Sequence, residues 1–492
     1  MECLVRLKKR PKFIDAIEKF QLSGAYPVFF AILCTISGLG NKYVYLPIIS
    51  VIALSILFSV FFVRDNKVFI TPIFMAYYSL GTDNPKAFTD SNGDVLAAFD
   101  KSGFIGICVL AAIIIIPLFL RFLLDGSFAH ALKNRGITFW GVAGLNVAIF
   151  LGGSFSAYWS PKNLAYALIL VAGLDIFYLI LSSIIRKFDG NIVPYVCRIL
   201  VLTCLMITAQ AILLALQLQL DGMLIRVDQW TGRWILQREY LARSWGISTI
   251  ICASSAVGIP AAMYMARNER FPLFYYASAL IMWGISILVN TRSAMIIGGI
   301  FLIAGMAIIS FSGKNKRCNL IFSSVLLVLI VIGAIIAYRK LTEVTPPDEL
   351  FFNLYKFLRF DSVNDRITIF EVGLKDYLSA PIFGVGWSKG ALDSELQSNN
   401  FYSNMYHCIV IQMGASAGSI GLIALVLHAK DYFRLAFKKP QIDRFLLLFV
   451  PASVLFMSLV DNFIFYLNMQ IFYVAFLCLA EKHLEQTQQS KK

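Results

Sequence analysis

Apolar residues in this chain gather into long unbroken runs, with short polar stretches between them. The runs lie at about 24–39, 43–63, 68–81, 104–124, 136–157, 163–185, 193–220, 244–265, 272–289, 293–312, 318–339, 405–427, 443–460 and 462–480. Most have about 18 to 25 residues, the length at which a helix rising 1.5 Å per residue crosses a bilayer. Barrel strands would instead alternate apolar and polar positions over about ten residues. The pattern predicts an all-α polytopic membrane protein with about fourteen transmembrane helices. The first and third runs are short enough to be re-entrant or unusually tilted.

Composition agrees. Of 492 residues, 58% are hydrophobic and 15% charged, against roughly 45–50% and about 25% in soluble domains. An ordinary soluble enzyme is excluded. The nine cysteines are an odd number, mostly inside apolar runs, and show neither a disulfide framework nor zinc spacing. The net charge of +14 does not point to nucleic acid, because the basic residues are spread over short loops, where they act as topology signals.

These residues sort by loop parity. The amino-terminal tail, Arg64/Lys67, Arg121/Lys133/Arg135, Arg186/Lys187, Arg267/Arg270, Lys314/Lys316/Arg317, Lys430/Arg434/Lys438/Lys439/Arg444 and the carboxy-terminal tail fall on one side, which is assigned to the cytoplasm. Both termini are expected there. The basic start lacks a small-residue cleavage site after the first run, so that run is expected to remain as an anchor. Three longer segments, 82–103, 221–243 and 340–404, are expected on the outer side, the last containing short helices. Asp175 is the one strongly ionisable residue deep in a run, either paired with a neighbouring helix or part of a proton relay.

The outer side offers few chemical groups. By parity His407 is its only histidine, and so its only base of near-neutral pKa. Ile411, Gly414, Gly418 and Gly421 follow at +4, +7, +11 and +14, which predicts one helical stripe shared with His407 and close packing of another helix there. The alternative is an interfacial histidine beside packing glycines. The segment 221–243 carries Arg226, Arg233, Arg238 and Arg243 among Trp230, Trp234 and Tyr240. It reads either as an aromatic anchor belt or as a phosphate clamp built on forked guanidinium donors. Arg292 stands alone in a tight outer turn. An amphipathic stretch from Asn364 through Arg366 and Glu371 to Leu378 predicts a surface helix ending at Ala380-Pro381. The run Asp90-Ser91-Asn92-Gly93-Asp94 opens like a calcium loop, but its glycine is misplaced and its twelfth position is Lys101. No metal site is expected. Cys408 points about 100° away from His407 on a helix and is not read as a nucleophile.

Taken in order, these motifs resemble those of the O-antigen ligase and polymerase superfamily. His407-Cys408, nine residues and Gly418-Ser419-Ile420-Gly421 is similar to its histidine, small polar residue and G-x-x-G signature. Thr291-Arg292-Ser293-Ala294 is similar to its serine-arginine-small-alanine motif. Arg366 with Phe370 is similar to its arginine followed by tryptophan, and Ala380-Pro381-Ile382-Phe383-Gly384-Val385-Gly386 to its proline and G-x-G turn. The likeness covers about 285–425. Departures are Cys408 where asparagine, serine or glutamine is usual, Phe370 for tryptophan and Thr291 for serine.

The resemblance implies a glycosyltransferase at the outer face of a bacterial inner membrane, using a glycan on undecaprenyl diphosphate as donor, without cofactor or metal. His407 would be the general base, Arg292 and Arg366 would bind the diphosphate, and Arg226 and Arg233 would be further substrate-binding candidates. Expected partners are the lipid-linked donor, the glycan acceptor, membrane lipid, and a chain-length regulator and flippase of the same pathway; nucleic acid is not among them. A polymerase would pass the chain to another lipid-linked repeat unit. A ligase, the alternative, would pass it to lipid A-core or protein, and a flippase-type transporter is the reading from another class. The expected organisation is a basic tail at 1–23, an amino-terminal bundle at 24–284, a ligase/polymerase-like core at 285–427 and terminal helices with a tail at 428–492.

Overall fold

The computed structural model describes residues 11–39, 42–79, 116–188, 190–220, 225–227, 234–236, 248–288, 291–312, 316–344, 361–388 and 406–489. Within them the apolar runs fold as helices close to their expected places. These are α1 (Lys12–Gln21), α2 (Ala25–Leu39), α3 (Lys42–Phe62), α4 (Ile70–Met75), α5 (116–124), α6 (Ser127–Lys133), α7 (Phe139–Phe155), α8 (Pro161–Lys187) and α9 (Val193–Leu220). After a hairpin come α10 (Ser248–Asn268), α11 (Pro272–Leu288), α12 (Arg292–Ser312), α13 (Lys316–Val344), α14 (Asp361–Ser379), α15 (Ile409–Phe437), α16 (Ile442–Asp461) and α17 (Leu467–Gln489).

Among the described residues, five helices are long and apolar enough to cross a membrane, or six if the bent pair at 12–37 counts as one span. Four apolar helices are shorter, including Phe139–Phe155 and Pro272–Ile287. The expected number of about fourteen is therefore not reached by this measure. The third run is broken: α4 is flanked by single 3-10 turns at Asn66–Phe69 and Ala76–Ser79. The fold also departs from purely helical structure at β1 (Ile225–Val227) and β2 (Trp234–Leu236). This antiparallel pair has Arg226 opposite Ile235.

Two helices are enclosed on all sides. Residues 253–266 of α10 and 468–481 of α17 are buried throughout, as an apolar surface without a polar face requires. Around α10 pack α9, α11, α12 and α16, while α17 sits against α8 and α16. The outer helices are reversed relative to a soluble protein. On α12, Ala294, Gly298, Leu302 and Gly305 face inward, and Ile296, Ile300 and Ile303 are exposed. Such extended apolar exposure fits a hydrocarbon surrounding.

Polar contacts gather at the two ends of the bundle. At one end Glu481 accepts from the Thr138 N–H and hydroxyl, both at 2.7 Å, and pairs with Arg186 at 2.9 Å. Arg267 donates to the Ser312 carbonyl at 3.3 Å and pairs with Asp443. The Thr487 hydroxyl, on the same stretch of α17 as Glu481, donates to Gln441 at 3.0 Å. This end therefore holds the starts of α7 and α16 and the ends of α8, α10, α12 and α17. Their other ends meet at the opposite pole.

Candidate functional site

The opposite pole is organised by a break in α15. At Gly418 the backbone turns to φ 64°, ψ −155°, so the helical bond between the Ala415 carbonyl and the Ser419 N–H cannot form. A turn just after α14 replaces it. The Val385 N–H donates to the Ala415 carbonyl, and the Ser419 N–H donates to the Pro381 carbonyl, each at 2.7 Å. Both groups freed by the break are thereby satisfied, as buried backbone requires. Gly384 has φ 74°. A Cβ there would lie 2.5 Å from the Ala415 carbonyl oxygen, and one on Gly418 would lie 2.3 Å from that of Ile382. The two glycine motifs of the sequence are thus two halves of one contact.

The turn is also fixed on its other side. The Ala157 N–H donates to the Gly384 carbonyl at 3.0 Å, and the Trp387 indole to the Ile149 carbonyl at 2.9 Å. Asn163 accepts from the Ser388 N–H and donates to Ser156 at 3.0 Å.

His407 is not on the stripe that its spacing to the glycines predicts. The helix starts at Ile409, and His407 precedes it in the left-handed region at φ 52°. Gly418 is not helical either, so the regular 3.6-residue period ends there. What His407 faces is Asp461, the last residue of α16. His407 Nδ1 and Asp461 Oδ1 are 2.7 Å apart, with side chains 32% and 25% exposed. A carboxylate has no proton to give, so Nδ1 donates; in the neutral imidazole Nε2 is then the acceptor nitrogen. Sequence reasoning missed Asp461. Its signal was an acidic residue standing alone between the last two apolar runs.

The neighbouring Tyr406 is buried, and its hydroxyl donates to Asp376 of α14 at 2.5 Å. Burial, then the bond to Asp376, push this hydroxyl well above the ordinary tyrosine value, so it stays protonated as the donor. Gly373 brings α14 against Tyr406 and Ile411, where an added Cβ would meet side-chain atoms at 2.9 and 2.3 Å. Helix α14 is the amphipathic helix expected from the sequence. Its Ile367, Leu374 and Leu378 are exposed, and Asp376 is buried.

The remaining sequence candidates are placed by their elements. Arg292 is the first residue of α12 and half-buried. Since Arg267 holds the end of α12 and the start of α16 together, the two helices run antiparallel. The Phe301 ring packs on Phe449 and Phe456 of α16, at 4.9 and 6.2 Å between centroids. Arg292 is therefore at the same pole as Asp461 and His407. The backbone of Arg366 lies in α14, seven residues before Gly373, about 10.5 Å along the axis. Arg226 is in β1, and Arg233 lies outside the described residues, as do 82–103, 345–360 and 389–405 of the expected outer segments. Asp175 accepts from the Asn146 amide of α7, which is the paired arrangement.

Among the described residues, no three His, Cys, Asp or Glu side chains are gathered as a metal would need. Cys408 is buried ahead of the helix start.

No curated protein and no solved structure matches the chain. A family model described as O-Antigen ligase matches residues 277–426. The match runs from within α11 to within α15, so it takes in Arg292, Arg366, His407 and the Gly384–Gly418 contact but ends before Asp461. The members of this family are glycosyltransferase-like enzymes, ligases and polymerases. Over residues 277–426 the chain is therefore similar to the O-antigen ligase family, in agreement with the resemblance read from its motifs.

Proposed function

We propose that the protein is a bacterial inner-membrane glycosyltransferase that polymerises undecaprenyl-diphosphate-linked oligosaccharide repeat units at the outer face. The observation that carries the reading is the His407–Asp461 pair, a base with its orienting carboxylate at the pole where α12 and its Arg292 begin. In the proposed reaction the acceptor hydroxyl gives its proton to His407 Nε2. Its oxygen forms the new bond to the anomeric carbon of the donor, and the bond from that carbon to the phosphate oxygen breaks. Undecaprenyl diphosphate leaves with the electron pair. Arg292 and Arg366 hold the diphosphate and stabilise its growing charge, with Arg226 and Arg233 as further contacts. The imidazolium is stabilised by Asp461 and returns its proton to solvent. No metal or cofactor enters this scheme. Both termini are placed in the cytoplasm and the site outside.

Transfer to lipid A-core or protein is the second reading, favoured by the ligase description of the matching family. The long segment 340–404 supports a polymerase. A transporter would place its decisive charges at mid-membrane, and Asp175 is instead bonded to Asn146.

The glycan profile of a deletion strain separates the readings. Loss of a polymerase leaves single repeat units on the final acceptor, loss of a ligase leaves none, and an unchanged profile would overturn both. A flippase-type role predicts accumulation of lipid-linked units on the cytoplasmic leaflet.

A further inference from the structure

His407 and Asp461 come from segments 54 residues apart in sequence, and each borders a left-handed residue: His407 itself at φ 52° and Asn462 at φ 56°. Neither segment would hold this shape by local preference, since the left-handed region is unfavourable for a non-glycine residue, less so for asparagine. A single side-chain oxygen joins them. Gln412 Oε1 accepts from the Tyr406 N–H at 2.9 Å and from the Asn462 side-chain amide at 3.1 Å. Tyr406 directly precedes His407, and Asn462 directly follows Asp461. Gln412 is itself oriented, because its Nε2 donates to the Ser416 hydroxyl at 2.8 Å. Gln412, Tyr406 and Asn462 are all buried, so water cannot replace these bonds without rearrangement.

The geometry points to Gln412 as a positioning residue for the His407–Asp461 pair: its amide oxygen clamps the two chain segments that carry the pair, and thereby sets their separation. The inference rests on the proposed role of His407 as the base. Both lone pairs of Oε1 are used, one for each segment. An apolar residue of the same length would therefore release both at once and leave two buried donors without an acceptor. Glutamate keeps an acceptor oxygen in the same place, and the Ser416 hydroxyl can reverse its role and donate to the carboxylate.

The test uses the full chain purified in lipid nanodiscs. Its donor and acceptor are the lipid-linked repeat units extracted from a strain deleted for this protein, and chain growth is read as a function of their concentration. Gln412→Met is expected to lower kcat by about 10–100-fold with KM for the lipid-linked unit within about threefold of wild type, because no diphosphate contact is touched. Gln412→Glu should stay within about fivefold of wild type. In an Asp461→Ala background the Gln412→Met change should cost less than about threefold, since the pair it aligns is already broken. A fully additive loss in that background would assign Gln412 a general structural role and overturn the inference. So would wild-type kcat in Gln412→Met while His407→Asn is inactive, which leaves the proposed function standing. An active His407→Asn would instead overturn the function itself. Should Gln412→Met fail to fold, Asn462→Gly decides the matter, since it keeps the left-handed backbone and removes one of the two clamped donors. Lowered kcat at unchanged KM supports the clamp there, and wild-type kcat overturns it.

Discussion

Asp461 Oδ1 lies 2.7 Å from His407 Nδ1, at the junction of α16 with the segment leading into α17. This contact changes how the histidine should be tested. Because His407 has φ 52°, alanine would add backbone strain to the loss of the ring, whereas asparagine tolerates the left-handed region. His407→Asn is therefore expected to lose about 10²–10⁴-fold in turnover, the range of general acid–base catalysis, with normal protein level and donor binding. Asp461→Ala should lose less, about 10–100-fold, since the base remains but is no longer oriented. Polymer formation at the wild-type rate by His407→Asn would move the chemistry elsewhere.

The arginines make a different prediction. Arg292→Ala and Arg366→Ala should raise KM for the lipid-linked donor as well as lower kcat, because a diphosphate is held before it leaves. Lysine at either position should restore activity only in part, as it lacks the forked donor geometry. Titration of each variant with labelled lipid-linked unit measures this, and donor affinity equal to wild type in both alanine variants would remove the arginines from the site. Arg292 carries the stronger structural support, through the antiparallel pairing of α12 and α16 fixed by Arg267.

The helices were legible in the sequence because lipid demands long apolar runs, and most described helices coincide with one. The order of motifs from Arg292 to Gly418 was equally legible. The local shape of the site was not. A helical projection from His407 to Gly418 assumes unbroken periodicity, but both residues leave the helical region. Of the glycines that suggested a helix seam, Gly418 receives the backbone of the turn at 381–385, while Gly414 and Gly421 face residues of α15 itself. The pairing of Asp461 was hidden for a simpler reason: its partner lies 54 residues away, and no spacing rule links an acidic residue in the last outer junction to a histidine before α15. The hairpin of β1 and β2 escaped because strand pairing of three residues on each side leaves no periodic signal.

The Gly384–Gly418 contact predicts a sharp contrast among glycines. Gly418→Ala and Gly384→Ala combine positive φ with a Cβ driven into a backbone carbonyl, so each should cost at least about 2 kcal/mol and lower the yield and Tm of purified protein. Gly284→Ala, on an exposed face of α11 with nothing within 4 Å of the added carbon, should be neutral or gain about 0.5–1 kcal/mol in helix stability. Thermal melts of the three variants check this. Equal Tm for Gly418→Ala and Gly284→Ala would contradict the described break in α15.

Orientation in the membrane gives the last prediction. The pole with Glu481, Arg186, Arg267 and Asp443 is the one that the basic loops are expected to keep in the cytoplasm, and in the proposed orientation His407 and Asp461 would face outward. Cys34, Cys197, Cys204, Cys408 and Cys478 are buried, so replacing Cys3, Cys108, Cys252 and Cys318 with serine should give a quiet background for labelling. In intact cells, a membrane-impermeant thiol reagent is expected to modify Ser398→Cys and to miss Lys314→Cys until the cells are opened. The reverse pattern would turn the site toward the cytoplasm. A base there could meet only substrates on the inner leaflet, and the outer-face reaction would have to be abandoned even if His407 proved essential.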